Sequence, residues 1–102
     1  YQGGISMNSV KFYGVPFISM GKIAENVLPN CSIYINKNDE KREYRKIVVR
    51  DNRVLGAVFA GDVSYAGMVY WDIKSSRKID APEKYLTKEG LEELYLLRNK
   101  QL

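Results

Sequence analysis

Residues 43–62 read EYRKIVVRDNRVLGAVFAGD, and this stretch decides the fold. Glu43 to Arg50 carries Tyr44 and the β-branched run Ile47-Val48-Val49, which is strand composition. Asp51-Asn52 comes next. Both residue types tolerate the left-handed backbone region that a two-residue type I′ hairpin requires. Arg53 to Ala60 then returns as the partner strand. Its apolar run from Val54 to Ala60 does not alternate, so it is expected to be covered on both faces and central in its sheet. Gly56 and Gly61 mark points of close packing. Gly61-Asp62-Val63-Ser64 turns strand into helix, with Asp62 or Ser64 expected to cap the helix through its side chain.

Upstream of the hairpin the signals are again β. Ser32 to Ile35 is a short strand, and residues 36–42 (NKNDEKR) form a polar hairpin loop. Near the start, Val10 and Phe12 alternate with Ser9, Lys11 and Tyr13, the period of a half-buried strand. Gly14-Val15-Pro16 breaks that strand, and Phe17 to Met20 follows as another, closed by Gly21. Pro16 belongs at a strand start or edge, where no ladder donor is needed. Lys22 to Cys31 reads as a loop with at most one helical turn.

Downstream the period changes. Tyr65 to about Ser75 is helical, with Ala66, Gly67, Tyr70 and Ile73 or Lys74 expected on the core face behind Val63. Gly67 costs about 1 kcal/mol against alanine in a helix, which points to tight backbone packing there. Asp72 falls on the more exposed side, beside Trp71, and is expected to be solvated. Ser75 to Ile79 is a polar link. Asp80-Ala81-Pro82-Glu83 has capping-box spacing. Thr87 then caps a last helix, Lys88 to about Asn99, with Leu91, Leu94, Tyr95 and Arg98 on one face. The fold class is therefore α+β: an antiparallel sheet of about four to five strands, helices packed on it, and a C-terminal helical extension. A chain of 102 residues is one domain, with a core over about 8–76 and the extension over about 80–99.

Composition excludes much chemistry. There are no histidines, so no Ser-His-Asp triad, Cys-His pair or histidine metal site forms within this chain. The single cysteine, Cys31, excludes an internal disulfide, a CxxC pair and a cysteine zinc cluster. It reads as a small half-buried apolar residue more readily than as a reactive thiol, and fits a reducing, cytoplasmic setting. No apolar run approaches a membrane span, and the first ten residues lack the pattern of a signal peptide. The chain begins at Tyr1, not methionine, and is expected to be a piece of a larger protein. Neither GxGxxG nor GxxxxGK[ST] occurs, and Gly3-Gly4 has no preceding strand, so it reads as a connector.

The net charge is +4. Residues 37–53 hold seven basic and four acidic side chains, an excess of three positive charges. That segment is either a solvated hairpin edge or a docking surface for an acidic partner, for which Arg45, Lys46 and Arg50 are the candidates. Lys46, Val48 and Arg50 share one strand face. Eight tyrosines, among them Tyr13, Tyr34 and Tyr44 near basic residues, suit base stacking. An RNP-type pattern is absent, however, so nucleic acid is not expected. Met68 and Trp71 are candidates for an exposed interface patch, the alternative being cover by the C-terminal extension. Asp62 is the best-placed carboxylate for acid–base work but reads first as a helix cap, and no catalytic or metal-binding residue is assigned.

The order of these pieces resembles a known family. Val10-Lys11-Phe12-Tyr13-Gly14 with Ser19-Met20-Gly21 is similar to a segment "VKxYGxxxxSxG", and residues 44–62 are similar to "YRKLVxRDxxLxGAxxxGD". Ile47 and Val54 stand where that pattern has leucine. Over about residues 9–73 the chain resembles the C-terminal domain of FAD-dependent pyridine nucleotide-disulfide oxidoreductases, in the branch of rubredoxin reductase and the nitrite reductase large subunit. The resemblance implies a non-catalytic piece of a flavoenzyme. Preceding domains would carry FAD and NAD(P)H, and this domain would pack on them, shaping the flavin edge, a dimer contact or an electron-acceptor contact. Neither cofactor is then expected to bind this fragment tightly. The catalytic histidine of the disulfide reductases has no counterpart here. The alternative is a free-standing docking module that uses the basic hairpin to meet an acidic electron carrier.

Overall fold

The computed structural model describes residues 7–12, 14–21 and 30–100. Five strands form one antiparallel sheet: β1 (Met7–Phe12), β2 (Val15–Gly21), β3 (Ser32–Asn38), β4 (Glu43–Arg50) and β5 (Arg53–Ala60), in the order β1-β2-β5-β4-β3. Helix α1 (Ala66–Lys74), a 3-10 turn (Pro82–Leu86) and helix α2 (Lys88–Lys100) complete the chain. The α+β expectation holds. The expected features at Gly3-Gly4, Tyr13 and 22–29 lie outside the described residues.

Local chemistry accounts for most of this. Asp51 and Asn52 have φ of 53° and 61°, the paired left-handed values of a type I′ turn, so β4 and β5 meet through two residues. β5 lies at the middle of the sheet, and Val54, Ala57, Val58 and Phe59 are all buried, as its continuous apolar run requires. A register shift between Val48 and Val49 interrupts the β4–β5 pairing. Gly61 closes β5 at φ 86°, and a Cβ there would run into the Arg42 carbonyl, so this position needs glycine on two counts.

One buried cluster unites the sheet with everything after it. Met20, Ile47, Val54 and Phe59 from the strands pack with Val69 of α1 and with Tyr85 and Leu91 beyond residue 77. α1 lies over β5 and β2, while the 3-10 turn lies over β4 and β3. α2 packs on the 3-10 turn, and its first turn is capped as expected: the Gly90 N–H donates to Thr87 Oγ1 at 2.9 Å. Backbone and side-chain bonds pin the extension to the hairpins. The Ile79 N–H donates to the Asn52 carbonyl (2.7 Å), and Asn36 Nδ2 donates to the Leu86 carbonyl (2.7 Å).

Four expectations are corrected. α1 buries Ala66, Val69, Asp72 and Ile73, so its core face is rotated by about one residue from the predicted face, within a period of ~100° per residue. Gly67 is exposed, with open space where a Cβ would stand; close packing is not its reason. No side chain caps α1: Asp62 Oδ1 accepts instead from the Ser64 N–H (2.9 Å), forming a tight turn just before the helix, and Tyr65 enters it at φ 65°. The 3-10 turn starts after Ala81 with no side-chain cap, so Asp80 does not act in a capping box.

Candidate functional site

Among the described residues, the charged groups that the fold takes inside form two clusters. The first is at the β4–β5 end of the sheet. Arg45 is 4% exposed. Its Nη1 lies 3.6 Å from Glu43 Oε1 and its Nη2 lies 3.1 Å from Asp62 Oδ2. Burial works against the Asp62 charge, but the Ser64 hydrogen bonds and the Arg45 and Lys88 cations outweigh it, so its carboxyl lies below the ordinary aspartate range. Asp62 stays ionised at neutral pH and serves as the counter-charge to Arg45. Alternation along β4 explains the burial of Arg45: it shares a face with Ile47, opposite Lys46. Arg45 is therefore inside the domain and is not a docking contact. Lys46 and Arg50 are half-buried at the surface.

The second cluster joins α1 to the extension. Asp72 is 3% exposed, which overturns the expectation that it is solvated. The Tyr85 hydroxyl donates to Asp72 Oδ2, Arg98 Nη1 donates to Asp72 Oδ1 at 2.9 Å, and Arg98 Nη2 donates to the Tyr85 hydroxyl oxygen at 3.3 Å. Every charge in the triad has a partner, which lets a carboxylate sit in the core. Burial first, then the hydrogen bond and charge of Asp72, push the Tyr85 hydroxyl up to about 12. Burial opposes the Arg98 charge, but its bond to Tyr85 and the Asp72 carboxylate raise its affinity for the proton.

The Tyr85 shift predicts a pH dependence. The folded domain holds the tyrosine proton more tightly than the unfolded chain, whose hydroxyl titrates at 10.0. The stabilisation is complete below pH 10 and is lost as pH rises from there to about 12. Urea midpoints for the parent chain should fall faster over that window than those of Tyr85→Phe; parallel curves would show that the hydroxyl is not coupled to folding.

Outside these clusters lies an uncovered patch. Trp71 is 61% exposed, and Tyr95 is 43% exposed. With Met68, Arg77 and Asn99 they line a shallow groove of ≈ 370 Å³ between α1 and α2. Lys74 Nζ stands 4.8 Å from the centre of the Trp71 ring. Met68 is half-buried against the core, so the two sequence candidates share a groove but differ in cover.

Comparison with known families now bears on the fold. The family model described as the rubredoxin NAD+ reductase C-terminal domain matches residues 7–77. The chain belongs to this family. The match spans the five strands, α1 and the link after it, and stops before the 3-10 turn and α2. No curated protein matches the chain. The family description links this fold to an NAD-dependent oxidoreductase. Among the described residues the strand-to-helix turn after β5 is unlike a dinucleotide-binding turn: it has one glycine, Gly61, where a phosphate-binding turn needs several, and it follows an antiparallel strand. Among the described residues there is no group of acidic or cysteine side chains that could hold a metal ion, and no helix long and apolar enough to cross a membrane.

Proposed function

We propose that this chain is the non-catalytic interface domain of an FAD-dependent NAD(P)H oxidoreductase. It packs against the preceding domains, which hold both FAD and NAD(P)H, and its surface reaches the flavin edge, a dimer contact or the electron acceptor. The exposed Trp71 groove carries this reading. A tryptophan 61% open to water, flanked by Met68 and Tyr95, is the kind of aromatic anchor that protein contacts bury. A single cysteine, Cys31, with no cysteine to pair with in this sequence, suits the cytoplasm, where such an enzyme would work.

The test uses the full-length enzyme. Trp71→Glu leaves the core untouched and is expected to shift the stability of this domain by only about 0.5 kcal/mol. It should, however, loosen the domain contact, so that limited proteolysis cuts between the domains several times faster. An unchanged cleavage rate would place the contact elsewhere. The docking-module alternative is weakened by the burial of Arg45, which leaves Lys46 and Arg50 from the candidate set to meet an acidic carrier.

A further inference from the structure

The charges around the Trp71 groove restrict what can fill it. The lining contains one carboxylate, Asp72. It is 3% exposed, and Tyr85 and Arg98 hold both of its oxygens, so it presents no negative charge to the groove. Two cations stand differently. Lys74 and Arg77 are exposed, and among the described residues no carboxylate lies in ion-pairing distance of either. The carbonyl end of α1 favours cations at this place but leaves their charge facing outward. Lys74 Nζ is 4.8 Å from the centre of the Trp71 ring, so positive charge sits on the aromatic surface itself. The Ser75 hydroxyl donates to the Trp71 carbonyl at 2.7 Å, which leaves anion contacts to Lys74, Arg77 and the Asn99 amide.

We propose that an acidic segment of a preceding domain of the same chain fills this groove. Its apolar side chain lies against Trp71 and Tyr95, and a carboxylate beside it meets Arg77 and Lys74. This rests on the reading of the groove as the domain contact and adds the chemistry of the partner. The Arg77 guanidinium can hold a carboxylate through two parallel hydrogen bonds, which fixes the direction of the segment as well as its position. The tryptophan supplies the buried area, and the charges supply selectivity. A neutral or basic segment would cover two cations without a counter-charge, which disfavours it.

The test treats the full-length enzyme with a carbodiimide, which joins a lysine amine directly to a carboxylate that touches it. Mass spectrometry identifies the linked peptides, and mixing ¹⁴N- and ¹⁵N-labelled enzyme separates links within a chain from links between copies. The expected product joins Lys74 to an aspartate or glutamate of a preceding domain in the same chain, and Lys74→Arg abolishes it. Arg77→Glu should speed cleavage between the domains about threefold at low salt, an effect that fades at high salt. A Lys74 link to a second copy would overturn the proposal. So would the lack of any Lys74 link together with a cleavage rate that Arg77→Glu leaves unchanged. If Trp71→Glu still speeds cleavage in that case, the domain contact stands and its partner is not acidic. If Trp71→Glu has no effect either, the contact itself lies elsewhere.

Discussion

Arg98→Met is expected to destabilise the domain by about 3 kcal/mol or more, the cost of leaving a buried charge without its partner. Asp72 is 3% exposed and has two partners, Tyr85 and Arg98. Methionine keeps much of the arginine's apolar length but removes the cation. The carboxylate must then take up a proton or remain ionised against a single hydroxyl. A second variant separates charge from packing. Adding Asp72→Asn to Arg98→Met removes the stranded charge while keeping an acceptor for Tyr85, and should recover part of the loss. Urea denaturation of the four-member cycle measures the coupling. Independent, additive effects would mean that the triad does not hold the two elements together.

The second large effect concerns the extension. A chain ending at Arg77 retains the whole family match but should not fold cooperatively. It would lose Ile79, Tyr85 and Leu91, which are 7%, 1% and 0% exposed in the same cluster as the sheet. At about 1.5–3 kcal/mol for each buried side chain, their removal approaches the whole stability of a small domain, ~5–15 kcal/mol. Asp72 would also lose both partners. Circular dichroism and a thermal melt should show a broad transition or none. A sharp melt near that of the full chain would make residues 78–100 an accessory.

These two effects also show what could be read in advance. The hairpin was legible because its information is local: Asp51-Asn52 sets the turn, and the apolar run of β5 sets its central place. The Thr87 cap was legible for the same reason. The core face of α1 was not, because hydrophobic periodicity places a carboxylate in water by default. Asp72 is inside only because Tyr85 and Arg98, 13 and 26 residues away, complete it. Arg45 was missed differently. With Ile47 facing the core, strand alternation already pointed Arg45 inward. Its net charge drew it to the surface in a reading that counted charges along the hairpin, while its partner Asp62 lay across β5. The extension was recognised as helical, but its share of the core depends on contacts that no local pattern carries.

The proposed function makes this domain a part of a flavin-dependent oxidoreductase. Intact mass and visible absorption of the native protein carrying this sequence test it most directly. A chain several times longer than 102 residues, with a flavin spectrum that NADH or NADPH bleaches, is the expected result. A colourless polypeptide close to this length would contradict it.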